Sequence, residues 1–250
     1  MDYAYFSKHR DAFGRIVSIH QPHIFPWLPY LYKMHLSDVF IYADNVKFKK
    51  GGDQNRFRLK GPNGVFTLTC AVSMKEGRMM PDVTLADNRF LKDLMHSVRD
   101  LFTYSSNKSR LAFQLSGLSW NIDYPFTVAA EESVAIAFCL SDLRWPREFA
   151  TASRLGPAEK GSDYVLDLCK KAKARTYICG SHAKDYLDMQ SFADARIGVY
   201  ELSVRMDQPK GQGLSCIDAL GRTDRVKDFC DAFMSLNYIG GRAWTDEDAL

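Results

Sequence analysis

The sequence predicts an α/β fold: a mostly parallel, Rossmann-like sheet with an antiparallel hairpin extension and a packed helical subdomain. Three observations predict it. Two short apolar runs, Ile16 to Ile19 and Val39 to Ala43, flank a helix-like stretch at 27–36, which is the pattern of a βαβ unit. Apolar and charged residues alternate on both sides of Gly51-Gly52, as they do in strands with one wet face. Residues 88–142 carry apolar side chains at helical spacing.

Taken in order, residues 1–14 read as a polar, irregular extension, and the core begins at Arg15. The run Ile16-Val-Ser-Ile19 is a buried strand. It breaks into His20-Gln21-Pro22, where a proline without a backbone N–H ends the ladder. Pro26 stands just ahead of Trp27, Leu28, Tyr30 and Leu31, and proline suits the first turn of a helix. The second strand ends on Asp44-Asn45, so in a parallel pair Asp44 and His20 share one edge. Val46 and Phe48 alternate with lysines. Phe57 and Leu59 alternate with Arg56, Arg58 and Lys60. Pro62-Asn63-Gly64 is a turn, and Val65 to Val72 is again strand-like. Three helices follow: one through Phe90, Leu94 and Val98, one through Leu111 to Leu118, and one through Val128 to Leu143 with Glu131 and Glu132 at its favourable end. Phe149 to Ser153 is a short strand returning to the sheet, and Gly161-Ser-Asp163 opens a helix. Thr176 to Gly180 is a strand, Ile197 to Leu202 a last strand, and Leu214 to Gly221 a short helix stopped by glycine. A helix through Val226, Phe229 and Phe233 precedes a polar end. The expected organisation is an extension at 1–14, one α/β domain at 15–222 holding a helical subdomain at 88–145, and a C-terminal helix and tail at 223–250.

Composition excludes several classes. The 250 residues carry 33 basic and 30 acidic side chains, a net charge of +3 too balanced and too scattered to indicate nucleic acid. No apolar run is long enough to span a bilayer, and Met1 to Phe6 lacks the basic start and apolar core of a signal peptide, so a cytoplasmic location is expected. The six cysteines form no Cys-x-x-Cys pair and no zinc spacing with histidine. They read as buried thiols, with no metal site assigned.

Several residues carry candidate chemistry. A loop with His20 and Gln21 at the carboxyl end of a central strand is where open α/β sheets collect ligands, although the same loop can be a structural turn. The basic hairpin residues read either as a solvated face or as an anion clamp. Cys179 and His182 lie close together, but nothing nearby lowers a thiol pKa, so a buried thiol is expected. Gly180-Ser181-His182 offers backbone N–H groups to an anion. Asp218, after Ser215, is a helix-borne carboxylate or a cap. There is no P-loop and no Gly-x-Gly-x-x-Gly.

Taken together, His20-Gln-Pro-x-x-x-Pro-Trp27, Ser37-Asp-Val-Phe40, Asp44-x-Val-x-Phe48 and Gln54-Asn55-Arg56-x-Arg58-Leu-Lys60 resemble the WbqC-like family. Tyr177-Ile-x-Gly180, Asp185-Tyr186-Leu187 and Leu214-Ser215-x-Ile217-Asp218 extend the likeness over about residues 15–221. The resemblance implies a biosynthetic enzyme of surface-glycan (O-antigen type) or natural-product assembly. It would transfer an aminoacyl or acyl group, such as glycyl, to an amino sugar. The sequence departs from the family at Pro29, where a small residue is usual, at Gly180-Ser-His-Ala183, at Ala219-Leu-Gly-Arg222 and in the shortened Gln208-Pro209-Lys-Gly-Gln212. These departures put a changed substrate or weakened activity in the second half of the site.

On this reading His20 and Asp44 are the catalytic pair, His20 as general acid/base and Asp44 orienting it or binding a substrate hydroxyl or amine. The substrate-binding set is Gln21, Trp27, Asn55, Arg56, Arg58, Gly180, Tyr186, Ser215 and Asp218. Asn55, Arg56 and Arg58 would hold an anionic group such as the diphosphate of a nucleotide-linked amino sugar, and Asp218 would be a second carboxylate. ATP and Mg²⁺ are the cofactors that activation of a free acyl group would use, and no motif specifies them. Two alternatives stand beside this one. The first is a non-catalytic binding protein for a glycan precursor or a carrier-bound acyl group. The second is a nucleotidyltransferase-like adenylylating enzyme, whose His-x-x-His spacing is matched by His20-Gln-Pro-His23.

Overall fold

The computed structural model describes residues 3–75, 78–101, 107–157, 160–204, 213–223 and 225–242. Phe102, the stretch Gln208 to Gln212 and the tail past Arg242 lie outside the described residues.

The chain opens with α1 (Tyr3–Lys8) and a 3-10 turn (Arg10–Phe13). β1 (Ile16–His20), α2 (Leu28–Leu36) and β2 (Val39–Tyr42) then form the βαβ unit. The hairpin is β3 (Arg56–Gly61) and β4 (Gly64–Thr69), followed by a small antiparallel ladder of β5 (Val72–Ser73) and β6 (Thr84–Leu85). The helical block is α3 (Arg89–Leu101), α4 (Lys108–Ser116) and α5 (Phe126–Leu140). The chain returns through β7 (Glu148–Thr151), α6 (Ala152–Leu155), α7 (Gly161–Lys171), β8 (Thr176–Cys179), α8 (Met189–Asp194) and β9 (Gly198–Val204). α9 (Cys216–Leu220), α10 (Val226–Phe233) and β10 (Met234–Gly241) complete it.

The central sheet has six strands in the order β10-β9-β8-β1-β2-β7, and every neighbouring pair is parallel except β10 with β9. This is the expected mostly parallel α/β architecture with its antiparallel hairpin. β1, β2 and β8 are apolar and buried at nearly every position because helices cover both sheet faces. Ile16, Phe40, Tyr42 and Ile178 pack into one core with α2 and α5, while Val17, Ile19, Ile41 and Cys179 pack into a second with α7. From β1 the chain builds outward through β2 and β7, then crosses back to β8 and β9. The order therefore reverses between β1 and β8, and ligands of open α/β sheets bind beyond the carboxyl ends of the strands at such a reversal.

Four local expectations change. The stretch Val46 to Phe48 is not a strand but a loop held by one bridge, Lys47 to Met79. Residues 3–13 are not irregular: α1 and the turn bury Phe6 and Phe13, and Phe13 packs 5.2 Å from the Tyr200 ring. Ile197 to Leu202 is not the last strand, since β10 pairs antiparallel with β9 from Met234–Val204 to Gly241–Gly198. α5 starts at Phe126, and Glu132 accepts hydrogen bonds from Trp120 Nε1 (2.5 Å) and the Tyr124 hydroxyl (2.9 Å), anchoring the helical block rather than only facing a helix dipole. Five of the six cysteines are buried. Among the described residues no helix is long and apolar enough to cross a membrane.

Candidate active site

The loop from Gln21 to Trp27 is held rigidly. Phe25 is buried and has φ +40°, a conformation that bulky side chains avoid and that persists only where the surroundings enforce it. Its N–H donates to Ser133 Oγ (2.9 Å) and its carbonyl accepts from Ser215 Oγ (2.8 Å). Gln21 Oε1 accepts from Gln54 Nε2 (2.6 Å), Ile24 N–H donates to Gln54 O (2.8 Å) and Gln54 Oε1 accepts from Lys49 N–H (2.7 Å), so a buried glutamine ties the loop to the base of the hairpin.

His20 stands at the carboxyl end of β1. Its Nδ1 lies 3.1 Å from Gln21 O. A carbonyl can only accept, so Nδ1 carries the proton and Nε2 keeps its lone pair. The ring packs 4.4 Å from Tyr30, whose hydroxyl donates to the same carbonyl (3.1 Å), and 4.9 Å from His23, edge to face. Burial, helped by the nearby Lys33 charge and by His23, holds the His20 pKa well below the usual imidazole value. Burial also lowers His23 to about 4, against a smaller upward pull from Asp53. Both imidazoles are therefore neutral near pH 7.

Lys33, from α2, completes the group. It is buried, and its Nζ donates to Ile19 O (3.0 Å). Burial lowers its pKa to about 8. Parallel ladders alternate the direction of successive carbonyls. His20 O accepts Ala43 N–H on the β2 side, and Arg15 O accepts Thr176 N–H on the β8 side. Ile19 shares the parity of Arg15, so its carbonyl faces β8. Pairing of β1 with β8 ends at Ser18–Ile178, whereas pairing with β2 continues to His20–Tyr42. The lysine thus occupies the place where the next ladder bond between β1 and β8 would fall.

The other expected residues divide into two groups. Asp44 lies at the same rim, but it sits two residues beyond Tyr42, the register partner of His20, or about 6 Å further along. Its carboxylate accepts from Ser153 N–H (2.8 Å) and Ser153 Oγ (2.6 Å) and so holds the start of α6. Among the described residues no hydrogen bond joins it to His20. Asn55 is buried and donates to Cys70 O (2.7 Å), closing the hairpin base. Ser215 caps α9 by accepting Ile217 N–H (3.2 Å). Asp218 is buried and accepts from Lys60 N–H (2.9 Å), Arg222 Nε (2.7 Å) and Arg222 Nη2 (3.0 Å), which fastens α9 to β3. These four are structural fastenings. Gln21 joins them through its side chain and shapes the site through its carbonyl.

Facing solvent are Arg56, which donates to Gly51 O (3.3 Å), and Arg58, 3.6 Å from Asp53, whose charge reaches His23. Trp27 is 38% exposed, its ring against Gly213. Gly180 leaves β8 with open space where a Cβ would stand. Tyr186 is exposed beyond it. Cys179 is buried and its thiol is pushed up to about 12 by burial, as expected of an inert thiol.

The sequence profile of the WbqC-like protein family matches residues 21–226, which contain nearly all of these residues. The chain belongs to the WbqC-like protein family. It is also similar to Rv1507c, an uncharacterized protein of Mycobacterium tuberculosis (strain ATCC 25618 / H37Rv). The two are 24% identical over 186 residues, spanning 73% of this chain and 80% of the relative. No solved structure matches the chain. Within this WbqC-like chain, sequence reasoning missed Lys33 and Gln54 as site-shaping groups. A readable signal existed for Lys33: a lone lysine, with His35 the other polar exception, in a helix otherwise built of apolar and aromatic residues.

Proposed function

We propose that this WbqC-like protein is a biosynthetic enzyme that transfers an acyl or aminoacyl group, such as glycyl, to the amine of an amino sugar or related small metabolite. The observation that carries this reading is His20: a neutral imidazole with Nδ1 occupied and Nε2 available, on a rigid loop at the switch point. Acyl transfer to an amine needs a base that stays unprotonated near neutral pH. In the proposed step the amine nitrogen attacks the carbonyl carbon of an activated acyl donor, Nε2 of His20 takes the amine proton, and the donor's leaving group departs with the bonding electrons. In this proposal Arg56, Arg58 and the exposed face of Trp27 receive an anionic, ring-bearing substrate such as a nucleotide-linked amino sugar. Asp44, engaged by Ser153, has no step in this proposal. Cytoplasmic surface-glycan or natural-product assembly is the setting that suits this chemistry.

The test is to incubate the protein with ATP, amino acids and nucleotide-linked amino sugars and to follow acylated product by mass spectrometry. Product should form, and His20→Ala should slow it by about 10²-fold or more. Unchanged turnover in His20→Ala would remove the imidazole from the mechanism. A ligand-induced melting shift with no turnover would favour a binding protein. The approach of His20 and His23 to 4.9 Å favours a second reading, nucleotidyl transfer, which release of pyrophosphate from ATP or CTP would reveal.

A further inference from the structure

Lys33 is 3% exposed, yet its ammonium meets a single neutral acceptor, Ile19 O, and no carboxylate pairs with it among the described residues. An ammonium has three N–H donors, and burying one without a counter-charge is costly. A chain that only needed to fill this space could use methionine or leucine, as the rest of α2 does. The position of the group matters as much as its burial. It lies where β1 and β8 stop pairing, within electrostatic reach of Cys179 at the end of β8 and of His20 and His23 on the loop after β1. The space next to Gly180 is open.

We infer that Lys33 anchors an anionic group of the substrate, a phosphoryl or a carboxylate, seated in the crevice between the ends of β1 and β8. This assignment rests on the reading of that crevice as the active site and adds the chemical class of what enters it. The bound anion supplies the counter-charge that the fold lacks and lies on the rim that carries His20. Because burial lowers Lys33 to about 8 when no anion is bound, anion binding is coupled to its proton. Binding is full where Lys33 is charged and weakens by about tenfold per pH unit as pH rises past its free value.

The probes are sulfate, for a phosphoryl group, and acetate, for a carboxylate. Neither titrates between pH 7 and pH 9.5. Calorimetry on the full chain should show binding of at least one of them, weakening by about tenfold per pH unit above about pH 8. Proton uptake should accompany binding there, and both should vanish in Lys33→Met. The more strongly bound probe identifies the source of the anion. Binding of neither probe, or binding that is independent of pH and unchanged in Lys33→Met, would overturn the assignment. If Lys33→Met does not fold, NMR of wild-type protein labelled at lysine Cε replaces it. The Lys33 titration should then move up by a unit or more with saturating probe, and an unmoved titration would overturn the assignment. Anion binding as described without acyl transfer in the turnover assay would remove the transferase reading alone. Acyl transfer with a Lys33 indifferent to both probes would remove the anion site alone.

Discussion

Asp218 is as buried as the apolar residues around it, and its two oxygens accept three N–H groups from Lys60 and Arg222. A carboxylate so buried and so occupied is committed to joining α9 to β3, so Asp218→Ala acts on stability. Arg222 is half exposed and regains water when its partner is lost, so the main loss is the Lys60 N–H and the charge-assisted bonds. The expected cost is about 2 kcal/mol in urea denaturation, with the His20 resonance unchanged. A stability change below a few tenths of a kcal/mol would show that the fastening is idle. The same contrast runs through the candidate site. Residue type marked His20, Asp44, Asn55, Ser215 and Asp218 alike as capable of chemistry. Only packing shows that Ser153, Cys70, Phe25 and Arg222 already engage the last four. Lys33 was passed over for the opposite reason: lysine is ordinarily a surface residue, and the signal that its helix is enclosed lies in the apolar residues around it rather than in the lysine itself.

At the scale of elements, the strands with apolar runs on both faces were legible, as were α2 and the hairpin, because burial on two faces or alternation on one leaves a direct mark. β10 left no such mark. It is an edge strand whose sequence, Met234 to Gly241, holds Asn237 and two glycines, and Tyr238 faces solvent. The glycines belong to the strand's packing rather than to a loop. A Cβ on Gly241, at φ +76°, would stand 2.1 Å from Ile197 O, a backbone atom that cannot swing aside. Gly241→Ala should therefore unpair the end of β10 from β9 and cost at least about 1 kcal/mol. Faster amide exchange confined to the β9–β10 ladder would report it, and wild-type exchange at Gly198 and Val199 would contradict it. Val46 to Phe48 erred the other way: alternation without a neighbouring strand to pair with gives a loop.

Across the whole molecule, the strand order turns a local pattern into a site. The βαβ unit at residues 16–42 was readable from its apolar runs, but β8 is separated from β1 by more than 150 residues, and no periodicity announces that the two become neighbours. That neighbourhood creates the reversal of order, parts the ends of β1 and β8, and leaves a buried lysine and an imidazole at one rim. The account stands on His20 being held neutral there with its proton on Nδ1. Histidine ¹⁵N NMR on the full chain tests this most directly. It should show His20 as the Nδ1–H tautomer, with no titration as the pH is lowered through about 6.5, where a solvated imidazole takes up its proton. A His20 that titrates near 6.5, or that carries its neutral proton on Nε2, would contradict it.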